Sequence, residues 1–179
     1  MCRLKICSLT HLFYSMAQVI AMVTEKASAQ QSCEECSDSI NEKSVSLQVK
    51  FSRDFLATHM SAIFQKPLRA SGWWTLNREK IVNSKADYWV FVLMGFERRS
   101  TDFVIIKPSE LLARLDEIHG KTKVIQSYLW VTKKNRCWET RGLKRQNQLE
   151  IAQAHYSNSV RDFSEYLNNW SPVHALNGK

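Results

Sequence analysis

Residues 86–96, ADYWVFVLMGF, form an almost unbroken run of β-branched, aromatic and aliphatic side chains. An amphipathic helix would show polar positions every three to four residues, and an edge strand would alternate. This run does neither, which marks a strand buried on both faces in the middle of a sheet. A chain with such a strand must supply two layers to cover it. ERRSTD then reads as a hairpin turn, and DFVIIK, 102–107, as the partner strand. Pro108 cannot continue a strand but suits a first helical turn. Residues 109–120, SELLARLDEIHG, follow as a helix. Leu111, Leu112, Leu115 and Ile118 share one face, and Gly120 suits the end. KVIQSYLWVTK, 123–133, is a further strand. Trp89 and Trp130 lie inside strands and read as core.

The flanking regions are less sharply written. Residues 6–27 place apolar side chains at 9, 12, 13, 16, 19, 20 and 23, the spacing of an amphipathic helix with one buried stripe. The same segment begins with basic residues and ends near Ala27-Ser28-Ala29, which suits a cleaved secretory signal, but Thr10, His11, Ser15 and Gln18 interrupt its apolar region. The helix is the preferred reading. Residues 28–44 are polar and read as a loop with one short strand near Asp38–Ile40. A strand is expected over 45–52, a short helix before Pro67, and a helix or helical turn over 75–84. Residues 148–170 carry Leu149, Ala152, Tyr156, Phe163 and Leu167 at helical spacing, which predicts one long helix or two in series. The whole is expected to be a single domain spanning 1–179, an α/β or α+β sandwich with a central mixed sheet.

A net charge of +8 and a pI near 9.4 favour a polyanionic partner. The charge is concentrated in KKNRCWETRGLKR, 133–145, which holds six Lys/Arg and one Glu and reads as a basic turn. Arg136, Arg141, Lys144 and Arg145 are its candidate phosphate contacts. The five cysteines, Cys2, Cys7, Cys33, Cys36 and Cys137, include one C-x-x-C, but no second ligand pair follows it. Free thiols in a reducing cytoplasm are the expectation. No Gly-rich phosphate loop is present, and the histidines are scattered singly.

SVSLQVKFSRDF, 44–55, holds the chemistry. Strand alternation puts Gln48 and Lys50 side by side, with Leu47 and Val49 on the opposite face. An oxygen donor beside an ammonium suits phosphodiester hydrolysis. A hard cation takes oxygen ligands, and a neighbouring lysine can orient the attacking water. Asp38 lies ten residues earlier, and DSINEKSVSLQVK can fold back as strand, turn and strand. Ser52 lies on the same side of the strand. Glu25, at the end of the first helix, reads as a surface charge.

Asp38…Gln48-Val49-Lys50 resembles the D…(E/Q)-x-K core of the PD-(D/E)XK nuclease superfamily. The resemblance extends as an order of elements through ADYWVFV, DFVIIKPSELLARL and VIQSYLWVT, about residues 36–150. It implies a restriction-endonuclease-like fold, a mixed central β-sheet flanked by helices. It also implies a DNA endonuclease using Mg²⁺, or Mn²⁺ in its place. Asp38 and Gln48 would hold the metal, Lys50 would serve the attacking water, and a homodimer would cut both strands. Gln48 in place of Glu gives a neutral ligand. An inactive nucleic-acid-binding module on the same scaffold is the alternative, and a secreted protein with a cleaved leader is a further one. Trp73-Trp74 after Gly72 reads as core packing, with base stacking as the functional alternative.

Overall fold

A computed structural model of the chain describes residues 45–52, 62–96 and 100–177. All of them fall within one compact unit, residues 43–179. The first helix, Asp38 and its short strand, Glu25 and the C-x-x-C lie outside the described residues.

The architecture is mixed α/β, with two three-stranded sheets. In the first, β1 (Leu47–Ser52) runs parallel to β3 (Tyr88–Met94), and β3 pairs antiparallel with β4 (Thr101–Ile106). In the second, β2 (Leu68–Asn77), β5 (Val124–Thr132) and β6 (Cys137–Glu139) are all antiparallel. Five helices accompany them among the described residues: α1 (Ala62–Gln65), α2 (Arg78–Val82), α3 (Pro108–His119), α4 (Arg145–Gln153) and α5 (Ser171–Asn177).

The strand β3 is the centre of its sheet, and Tyr88 through Leu93 are all buried, as its composition predicts. The helix α3 opens on Pro108, and Gly120 closes it at φ 75°. That backbone state is costly for residues with a Cβ.

Three expectations change. A single central sheet is replaced by two small ones. The segment 68–77 is a ten-residue strand, and the helix expected over 75–84 shrinks to Arg78–Val82. Asn77 ends the strand and starts the helix, its side chain accepting the Lys80 N–H. The basic turn contains a strand, β6, so Arg136 lies at one end of it and Arg141, Lys144 and Arg145 beyond the other.

The long C-terminal helix is also broken. The helix α4 stops at Ala154, which takes φ 62°, and residues 154–170 run irregularly through a 3₁₀ turn at Ser164–Tyr166. Arg114 on α3 explains why. Its Nη1 donates to the carbonyls of Ser159, Val160 and Asp162, which a helix would have used internally. Its guanidinium also lies over the Phe163 and Tyr166 rings. The apolar spacing was real, but it serves two clusters. Leu149, Ala152 and Tyr156 pack on one, and Phe163 and Leu167 belong to the other.

The main core lies between the sheets and α3. The first sheet contributes Trp89, Phe91, Leu93, Val104 and Ile106. The second contributes Trp74, Leu76, Ile125, Leu129 and Val131, and α3 adds Leu111 and Leu115. Trp74 crosses Phe91 edge-on at 5.0 Å and lies over Gly72, where a Cβ would sit 2.3 Å from the indole. A smaller cluster covers the outer face of the second sheet, where Phe64, Trp130, Trp138 and Ile151 meet.

The sheets are joined at one corner. Ala70 bridges Gly95, and the Phe96 N–H donates to the Arg69 carbonyl. Beside them Arg69 grips Asp102 on β4 with two bonds, Nε–H to Oδ2 at 2.9 Å and Nη2–H to Oδ1 at 2.7 Å. The Asp102 side chain is only 7% exposed, so removing Arg69 leaves a buried carboxylate without its counter-charge. Arg69→Ala is expected to lower stability by about 2–3 kcal/mol. Urea unfolding checks this, and the double variant with Asp102→Ala should cost less than the two single changes summed. A loss below about 0.5 kcal/mol would reduce the pair to the value of an exposed bridge.

Candidate functional site

On β1, Gln48 and Lys50 share a face, their Cα atoms about 6.5 Å apart by strand geometry. Register places Gln48 opposite Trp89, Lys50 opposite Phe91 and Ser52 opposite Leu93. The polar face of β1 therefore borders the apolar face of β3. Gln48 is exposed at the strand's start, and its amide nitrogen makes a long 3.4 Å contact with the Val49 carbonyl. Ser52 is buried at the far end, and its Oγ accepts the Trp73 N–H at 2.9 Å. That bond ties β1 to β2.

Lys50 lies between these extremes. Its ammonium sits over the Trp89 ring, 5.3 Å from the centroid. The Trp89 indole is fixed by its own N–H, which donates to Ser84 Oγ at 2.9 Å. Partial burial holds the Lys50 pKa below that of an ordinary lysine, and the nearby Lys80 on α2 pushes it in the same direction. The aromatic face favours the cation and works against both effects. A lysine so placed is closer to exchanging a proton near neutral pH than a solvated one.

At the start of this strand pair stands Asp87, whose Oδ2 accepts the Ser46 N–H while its own N–H donates to the Ser46 carbonyl. That exchange aligns the start of β1 with β3. Among the described residues no group of three or more His, Cys, Asp or Glu gathers to hold a metal ion. Gln48 offers one neutral oxygen of the hard type that suits Mg²⁺. Asp38, the expected partner, lies outside the described residues.

Three of the expected basic residues, Arg136, Arg141 and Arg145, lie on the outer face of the second sheet, each beside an aromatic ring. The Arg136 guanidinium lies 5.2 Å over Trp138, that of Arg141 5.0 Å over Trp73, and that of Arg145 5.4 Å over Phe64. Arg136 also pairs with Asp162, and Arg141 donates to Gln126 Oε1 at 2.7 Å. Lys144 is exposed at the start of α4. The three arginines thus share one face, although β6 divides them. Sequence reasoning raised Trp73 as a possible stacking residue but missed Lys80 beside Lys50, Phe64 beside Arg145 and Trp138 beside Arg136.

An open cleft of about 540 Å³ lies elsewhere, lined by Lys66, Arg69, Phe96 and Lys133 among others, and shares no lining residue with β1. The Cys137 thiol is free and buried, and burial pushes its pKa far up, so it is no nucleophile. Among the described residues no helix is long and apolar enough to cross a membrane. Comparison with known protein families, characterised proteins and solved structures finds no match.

A titration of the Lys50 Nζ followed by NMR is expected to place its pKa below 10.5, and Lys80→Met should move it part of the way back. An unchanged value in that variant would remove Lys80 from the account.

Proposed function

We propose that this chain is a metal-dependent DNA endonuclease of restriction-endonuclease-like fold, acting in the cytoplasm, with its reactive centre on β1. The observation that carries the reading is the half-buried Lys50 ammonium on the same strand face as Gln48. A mixed sheet with β1 parallel to β3 and β3 antiparallel to β4 accommodates such a centre. A divalent cation held by Gln48 and Asp38 would polarise the scissile phosphate. Lys50 would donate a hydrogen bond to the attacking water or to the phosphate oxygen on which charge develops. Trp89 limits how the ammonium can move, so it stays aimed along the strand face. Arg136, Arg141, Lys144 and Arg145 would contact phosphates and supply affinity that does not depend on sequence. A homodimer would present two such centres to the two strands.

A binding module without hydrolysis is the second reading, favoured by the three arginine–aromatic pairs, which suit binding whether or not a bond is cut.

Supercoiled plasmid incubated with Mg²⁺ or Mn²⁺ separates the two readings. Nicked and linear DNA should accumulate, and Lys50→Ala should slow cleavage by about a hundredfold or more while DNA binding persists. Equal cleavage by wild type and Lys50→Ala would contradict the nuclease reading. Binding with no cleavage by either would favour the module.

A further inference from the structure

Trp73 is 39% exposed, although its neighbour Trp74 is buried. An exposed indole is a surface on which a base can stack. This one is also carefully mounted. Tyr128 lies beside it on β5, its ring centroid 5.7 Å away and tilted by 35°. Arg141 lies over its ring, with the guanidinium braced by Gln126.

The mounting continues inside the protein, at a fully buried carboxylate. Glu139 Oε1 accepts the backbone N–H of both Tyr128 and Arg141, at 3.0 and 3.1 Å. Its Oε2 accepts from Arg161 Nη1 at 2.9 Å, and that same nitrogen donates to the Arg141 carbonyl at 3.0 Å. The buried pair therefore pins the backbones of the two residues that flank Trp73. A buried ion pair is seldom a source of net stability, and fixing geometry is a better account of this one.

We infer that Trp73, Tyr128 and Arg141 form a stacking platform for unpaired bases, so that the preferred ligand is single-stranded DNA. This rests on the nucleic-acid reading above and adds the substrate's form to it. The exposed indole and the planar guanidinium stacked over it offer a surface to the face of any base, and the same cation meets the phosphate charge. In duplex DNA the base faces are already stacked on one another. The exposed Lys144 and Arg145 carry the strand onward from Arg141.

Fluorescence anisotropy on the full chain tests this, with EDTA present to prevent cleavage. The probes are a labelled oligothymidine and a labelled duplex of equal length. The wild type should favour the single strand. Trp73→Ala should weaken single-strand binding about tenfold and leave duplex binding unchanged, and Trp73→Phe should retain most of the affinity. Arg141→Ala should weaken the single strand as well. Unchanged thermal melting of Trp73→Phe and Trp73→Ala keeps the comparison free of folding defects, and a loss in Trp73→Ala that is equal for both probes overturns the platform. So does wild-type single-strand affinity in Trp73→Ala. A wild type that binds and cuts duplex but binds the single strand more weakly overturns this inference and leaves the nuclease reading standing. A wild type that binds neither probe overturns both.

Discussion

The Arg69–Asp102 pair fixes the relation of the two sheets. It is bidentate, and it sits beside the Ala70–Gly95 bridge, where β2 of the second sheet meets the end of β3 in the first. Planar guanidinium and carboxylate groups meet in one geometry, so the pair sets an angle as well as a distance. Asn168 adds a third contact, donating to Asp102 Oδ1 at 2.9 Å, and Asn135 accepts from Arg69 Nη1. Both asparagines take positive φ, a backbone state in which a short amide side chain is tolerated. One ion pair thus gathers β2, β4, the β5–β6 turn and the C-terminal segment. The shared core and the Trp73 N–H to Ser52 Oγ bond then hold β2 against the end of β1.

Seen from there, the two candidate regions are parts of one arrangement. The bond from the Trp73 N–H to Ser52 Oγ joins the strand that carries Lys50 to the strand that carries the exposed indole. Because Trp73 and Trp74 are consecutive in a strand, they point to opposite faces. One fills the core against Phe91, and the other stands on the outer face with Arg141. A small movement of β2 would therefore disturb both the packing behind Lys50 and the basic face.

Much of this was legible in the sequence where one physical signal dominated. Residues 86–96 could be nothing but a central strand, and Pro108 with Gly120 bracketed α3. The Gln48–Lys50 pairing followed from alternation alone. The strand β2 was obscured because Gly72 and the polar Arg69 and Ser71 interrupt it, though Leu68, Ala70, Trp74 and Leu76 keep a period of two. β6 was hidden because Cys137-Trp138-Glu139 is short and embedded in charge. Its Glu139 is buried with the Tyr128 and Arg141 N–H groups as donors and with Arg161, some twenty residues on, as its counter-charge. The end of α4 depended on Arg114, a contact across more than forty residues. Local pattern carries no trace of such partners.

In the proposed reading, a divalent cation meets the substrate phosphate on the Gln48–Lys50 face of β1. Paramagnetic relaxation by substoichiometric Mn²⁺ tests it most directly, because broadening falls steeply with distance from the ion. The account predicts selective loss of the amide signals of Gln48, Val49 and Lys50, abolished by Asp38→Ala and reduced by Gln48→Ala. Broadening centred elsewhere, or none at all at concentrations that support catalysis, would contradict it.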